Sequence, residues 1–112
     1  MSAWKPVCLV SDIPRQGARI LQRQDLPDVA IFRTAENQIF ALVDRCPHKG
    51  GPLSQGMLIG DKVACPLHNW HIDLATGEAV APDQGCAARF QIRLEHEQVL
   101  LDETELQCLG KI

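Results

Sequence analysis

"CPHKGGPL" at residues 46–53 and "CPLHNWHID" at 65–73 are the stretches on which the reading of this chain turns. Each opens with a cysteine followed by a proline, and each offers a histidine: Cys46 and His48 in the first, Cys65 and His68 in the second. Three of the chain's four histidines fall in this window. Pro47 and Pro66 fix φ and remove a backbone donor directly after each cysteine, which stiffens the chain there. Gly50 and Gly51 open backbone conformations closed to other residues and let the chain pass close to a bound group, and Pro52 ends that loop. Two loops of matching design, each offering one thiolate and one imidazole, have the form of jaws closing on a single inorganic object.

Outward from these loops the strand signals are short and numerous. Ala88, Phe90, Ile92 and Leu94 alternate with Arg89, Gln91 and Arg93, which predicts a strand with one buried face. The runs VAIF (29–32) and IFALV (39–43) read as strands covered on both faces, with AENQ (35–38) turning the chain between them. Further short strands are expected at 7–10, 19–22, 57–59, 62–65 and 99–101, and GD (60–61), TGE (76–78) and EHEQ (95–98) supply turn chemistry between apolar pieces. SDIPRQG (11–17) predicts one helical turn at most, capped by Ser11 or Asp12 and stopped by Gly17, because Pro14 prevents more. No amphipathic helix of three turns is expected. The fold class is therefore all-β: an antiparallel β-sandwich or barrel, one domain over residues 1–112, with a small subdomain of two loops at about 45–73.

The 112 residues are 46% hydrophobic and 22% charged, enough for one folded core. A net charge of −3 gives no electrostatic reason to expect nucleic acid or an anionic membrane as partner. The start, MSAWKPVCLV, has no apolar stretch before a small-residue cleavage site, and no apolar run approaches the roughly 18 residues of a membrane span. A cytoplasmic protein is the expectation. Five cysteines, an odd number and widely spaced, argue for reduced thiols or metal ligation rather than a disulfide framework. The chain has no Gly-rich dinucleotide fingerprint and no second cysteine cluster, so catalysis by this chain alone is not expected.

Two thiolates and two imidazoles can hold a tetrahedral zinc, but zinc sites space paired ligands differently, and a CxH pair is unusual for them. A [2Fe–2S] cluster with two Cys on one iron and two His on the other uses the same four groups and fits the loop pairing better. With Cys46, His48, Cys65 and His68 so arranged, the chain resembles the Rieske iron–sulfur family. The resemblance implies a Rieske-type β fold, a [2Fe–2S] cluster held by these four residues, and a redox partner docking where HKGGPL and HNW lie. High-potential members join the two loops by a disulfide and place hydroxyl donors by the cluster. The matching positions here are Gly51 and Leu67, and Trp70 and Ile72, so the resemblance is to the low-potential branch, with a potential of roughly −150 mV. Trp70 reads as packing beside a ligand loop that keeps water away. His71 reads as an exposed loop histidine, His96 as a solvated turn residue and Cys8 as a core thiol, while Cys86 and Cys108 have no assigned role.

Across most of the chain, KGGPLSQG, then CPLHNW, then TGEAVAPD, is similar to the small subunits of assimilatory NAD(P)H-dependent nitrite reductases. That likeness implies an electron-transfer subunit working with a large subunit that holds FAD, a [4Fe–4S] cluster and sirohaem and takes nitrite to ammonium. Two other readings stay open. One is a stand-alone Rieske ferredoxin serving an aromatic-ring dioxygenase or a monooxygenase, which shares the ligands and the TGE turn. The other is a zinc-bound or metal-free structural subunit.

Overall fold

The computed structural model describes residues 3–46, 51–66, 70–80 and 85–108, without the Cys108 side chain. Ten strands and one short helix are arranged as three antiparallel sheets, and among the described residues the sheets do not close into a barrel. One sheet has the order β1 (Trp4–Leu9), β10 (Gln98–Asp102), β9 (Ile92–Glu95). A second has the order β2 (Gly17–Arg23), β3 (Leu26–Arg33), β4 (Ile39–Val43), β8 (Arg89–Phe90). The third and smallest, β5 (Met57–Ile59), β6 (Lys62–Ala64), β7 (His71–Asp73), lies in sequence between β4 and β8. The helix α1 (Glu103–Cys108) follows β10 directly.

The two continuous apolar runs are central strands, as their composition requires. Val29, Ala30, Ile31 and Phe32 are all buried, and because side chains alternate across a strand they serve two separate cores. Ala30 and Phe32 join Leu42, Leu53, Leu58, Val63, Ile72, Leu74, Cys46 and Cys65 in one. Val29 and Ile31 join Ile13, Ile39, Ala41, Val43, Phe90, Val99 and Leu101 in the other. Each Ile, Leu or Phe so buried contributes ~1.5–3 kcal/mol relative to an exposed one. The two cores have no residue in common.

Some expectations are corrected. The alternation over 88–94 is two strands: β8 pairs with β4, β9 pairs with β10, and the chain changes sheets at Gln91. There the Gln91 N–H leaves the ladder and donates to Glu105 Oε1 at 2.9 Å. Leu94, past this corner, is exposed rather than buried. The helical turn expected in 11–17 lies earlier, as a 3₁₀ turn over Val10–Asp12. Its Asp12 carboxylate reaches back to accept the Leu9 N–H at 2.9 Å, instead of capping a following turn.

Candidate metal centre

The strand β4 delivers the chain to the first cysteine loop, and the β6–β7 hairpin carries the second. Both are closed in the same way. The Cys46 N–H donates to the Gly51 carbonyl at 2.7 Å, and the Cys65 N–H donates to the Trp70 carbonyl at 2.7 Å. Each cysteine therefore starts a ring whose last residue lies five positions on. The second ring sits on the hairpin: Ala64 pairs with His71, so the chain leaves β6 at Cys65 and re-enters β7 just after Trp70.

Cys46 and Cys65 are each 2% exposed, neither is in a disulfide, and both belong to the same apolar core. Trp70 is half-buried and packs against that core. Gly51 is buried, while Pro52 and Pro66 are exposed. Pro47, His48, Gly50 and His68 lie outside the described residues, as does Leu67. Two of the four candidate ligands thus stand together in one apolar shell.

His71 is not in a loop. It opens β7, is half-buried, and its carbonyl accepts the Val80 N–H at 2.8 Å. His96 is exposed in the β9–β10 turn, as expected. Cys8 is half-buried on β1 and packs against the second core; burial pushes its thiol up, against the lowering influence of Arg19 and with a smaller raising one from Asp12. Cys86 is exposed.

Sequence reasoning passed over two residues beside the first loop. Ser54 donates both its backbone N–H and its hydroxyl to Asp44, to Oδ1 and Oδ2, each at 2.7 Å. Ser54 is the second residue of a 3₁₀ turn over Leu53–Gln55, whose capping position is Pro52. Proline has no side-chain oxygen to accept an orphan N–H, so a carboxylate from ten residues earlier does so. The detectable signal was that turn start without a cap of its own. Gly56, just after it, presses on the other loop: a Cβ there would lie 2.2 Å from the Ala64 carbonyl oxygen, next to Cys65.

Two buried thiols on loops of the same closure, in one apolar shell, suit a sulfur-ligated metal group. The comparisons agree with the geometry. The family model for the Rieske [2Fe-2S] domain matches residues 3–96. The chain belongs to the Rieske [2Fe–2S] family. Its cofactor is a Rieske-type [2Fe–2S] cluster, and it is an electron-transfer domain. Ferredoxin CarAc of Metapseudomonas resinovorans is 34% identical to this Rieske domain over 97 residues, covering 86% of this chain and 90% of CarAc. The solved structure of the E. coli protein NirD has a TM-score of 0.76 and 28% identity, covering 90% of this chain and 96% of that one. A chain of the complex of reduced oxygenase and oxidised ferredoxin in carbazole 1,9a-dioxygenase has a TM-score of 0.79 and 27% identity, covering 88% and 92%. Two structures described as nitrite reductase small subunits share the fold at 21% and 16% identity, a likeness that reaches the fold alone. Other curated relatives are far longer, and the Rieske domain spans 16% to 22% of their length. No helix among the described residues is long and apolar enough to cross a membrane.

Proposed function

We propose that this Rieske protein is the cytoplasmic electron-transfer small subunit of an NAD(P)H-dependent nitrite reductase that takes nitrite to ammonium. Cys46, His48, Cys65 and His68 are the proposed cluster ligands, in a subdomain of about 45–73 within one domain over 1–112. The observation that carries this reading is the match along almost the whole length of E. coli NirD, together with KGGPLSQG, CPLHNW and TGEAVAPD in that order.

When bound, the cluster accepts and returns one electron at a time. What this chain's residues do is hold it and set its surroundings. The thiols of Cys46 and Cys65 lie out of water, in the apolar core against which Trp70 packs. Neutral imidazoles from His48 and His68 leave the whole less negative than four thiolates would. With no nucleotide fingerprint in the chain, the electron's source and destination belong to a large partner holding FAD, [4Fe–4S] and sirohaem.

A specific observation favours a second reading. CarAc is similar over 90% of its own length, and a chain of the carbazole dioxygenase oxygenase–ferredoxin complex has the same fold, which supports a stand-alone ferredoxin serving an oxygenase. Affinity purification from the native cell separates the two. Recovery of a large sirohaem protein whose NAD(P)H-dependent nitrite loss falls on depletion of this chain supports the subunit; recovery of an oxygenase, with nitrite turnover untouched, overturns it. Cys65→Ser is expected to abolish the Rieske EPR signal, and an unchanged signal would remove Cys65 from the ligand set.

A further inference from the structure

The two cysteine loops are tied to each other by contacts that neither cysteine makes. We propose that Asp44 and Ser54 are positioning residues for the cluster: their paired hydrogen bonds set the spacing of the Cys46 and Cys65 loops before a cluster binds. The inference rests on reading Cys46 and Cys65 as ligands.

Asp44 lies two residues before Cys46, and its own N–H is anchored to the Asp28 carbonyl of β3 at 2.8 Å. Its carboxylate holds Ser54 at two points, both at 2.7 Å. Two residues on, the Gly56 backbone rests on Ala64 and Val63, with a Cβ at Gly56 placed 2.2 Å from Ala64 O and 2.8 Å from Val63 Cγ2. Ala64 adjoins Cys65. The path from one cysteine to the other thus runs through short chain segments, a two-point hydrogen-bonded contact and a backbone-to-backbone packing contact, with no long side chain in it. A metal group asks its ligands to stand within about 0.5 Å of their places, and a spacing fixed in advance spares the cluster that work. Asp44 meets Ser54 through both oxygens, so loss of its carboxylate frees the far end of the first loop while the Cys46–Gly51 bond still closes the near one.

The test uses the cluster-loaded protein. Cluster release to an iron chelator is followed by visible absorbance, with EPR of the reduced protein and thermal melting alongside. Asp44→Ala is expected to speed release by about tenfold and broaden the EPR lines, and Ser54→Ala, which keeps the backbone donor, by about threefold. Asp44→Asn should stay near the parent rate, because its amide can accept the Ser54 N–H and donate to the hydroxyl. Val99→Ala, in the other core, is the control for lost stability alone: it should lower the melting temperature and leave release unchanged. Release from Asp44→Ala at the parent rate, or no faster than from Val99→Ala at equal loss of melting temperature, overturns the proposal. If Asp44→Ala does not fold, Ser54→Ala against Asp44→Asn decides by the same criterion. Cys46→Ser keeps the two readings apart: if it retains the Rieske signal the ligand reading falls, and if it loses the signal while Asp44→Ala behaves as the parent, only the Asp44–Ser54 role falls.

Discussion

Gly77 shows how narrowly a single position can be constrained. Its φ is +79°, and a Cβ there would lie 2.2 Å from the Ala87 carbonyl oxygen, the acceptor side of a segment whose Ala87 N–H donates to the Gly77 carbonyl at 2.7 Å. Gly77→Ala should cost more than ~2 kcal/mol, since left-handed strain and a backbone clash add; urea unfolding with a loss below that would show the TGE turn can rearrange. Cys8 makes a prediction of a different kind. Its thiol is raised by burial, so its contribution to stability is complete below the ordinary thiol range and is lost as pH rises through the raised value. The chain has no tyrosine to add to the alkaline titration. Cys8→Ser should flatten the fall in unfolding free energy between pH 8 and pH 10; equal slopes in parent and variant would mean the thiol does not differ between folded and unfolded chains.

The β9–β10 hairpin turns on His96 and Glu97, both at positive φ, 48° and 66°. Two such residues are the pattern of a type I′ turn, which favours Asn-Gly, and side chains like these pay steric strain there. His96→Asn with Glu97→Gly should stabilise the protein by about 1 kcal/mol, read as a higher melting temperature, and the backbone bond from Val10 N–H to the residue 97 carbonyl should survive. Elements like this were legible beforehand because Gly, Asp and Glu-rich punctuation sits between β-branched runs. The strand over 88–94 was legible only in part. Alternation records which face is buried, not which sheet is joined, and the corner at Gln91 depends on Glu105 from far along the chain. The helix α1 was missed although Asp102 and Glu105 stand three apart, as a capping pair does. Asp102 does cap it, accepting the Thr104 N–H at 2.8 Å, but Glu105 serves the sheet corner instead. At the candidate centre the cysteines and their loop residues could be read from spacing, whereas the Asp44–Ser54 contact, ten residues apart and made of common polar residues, leaves only the uncapped turn start at Pro52 as a local sign.

For the whole molecule the reduction potential is the quantity that places it within the family. The resemblance implies that Gly51 matches the loop-joining cysteine of high-potential members; here its carbonyl closes the first ring. Protein-film voltammetry should give a midpoint of roughly −150 mV; a value above about +100 mV would remove it from the low-potential branch. The partner is a separate matter, and β3 shows why. Its alternate residues, like those of β4, fill two cores that share no residue, with the cysteine loops drawing on one of them only. The two strands are a party wall. Tenants on the far side, the β1–β10–β9 sheet and the helix behind it, can be refurbished by mutation without disturbing the room that houses the iron. A lineage can therefore reshape that outer half while the electron keeps the same energy level.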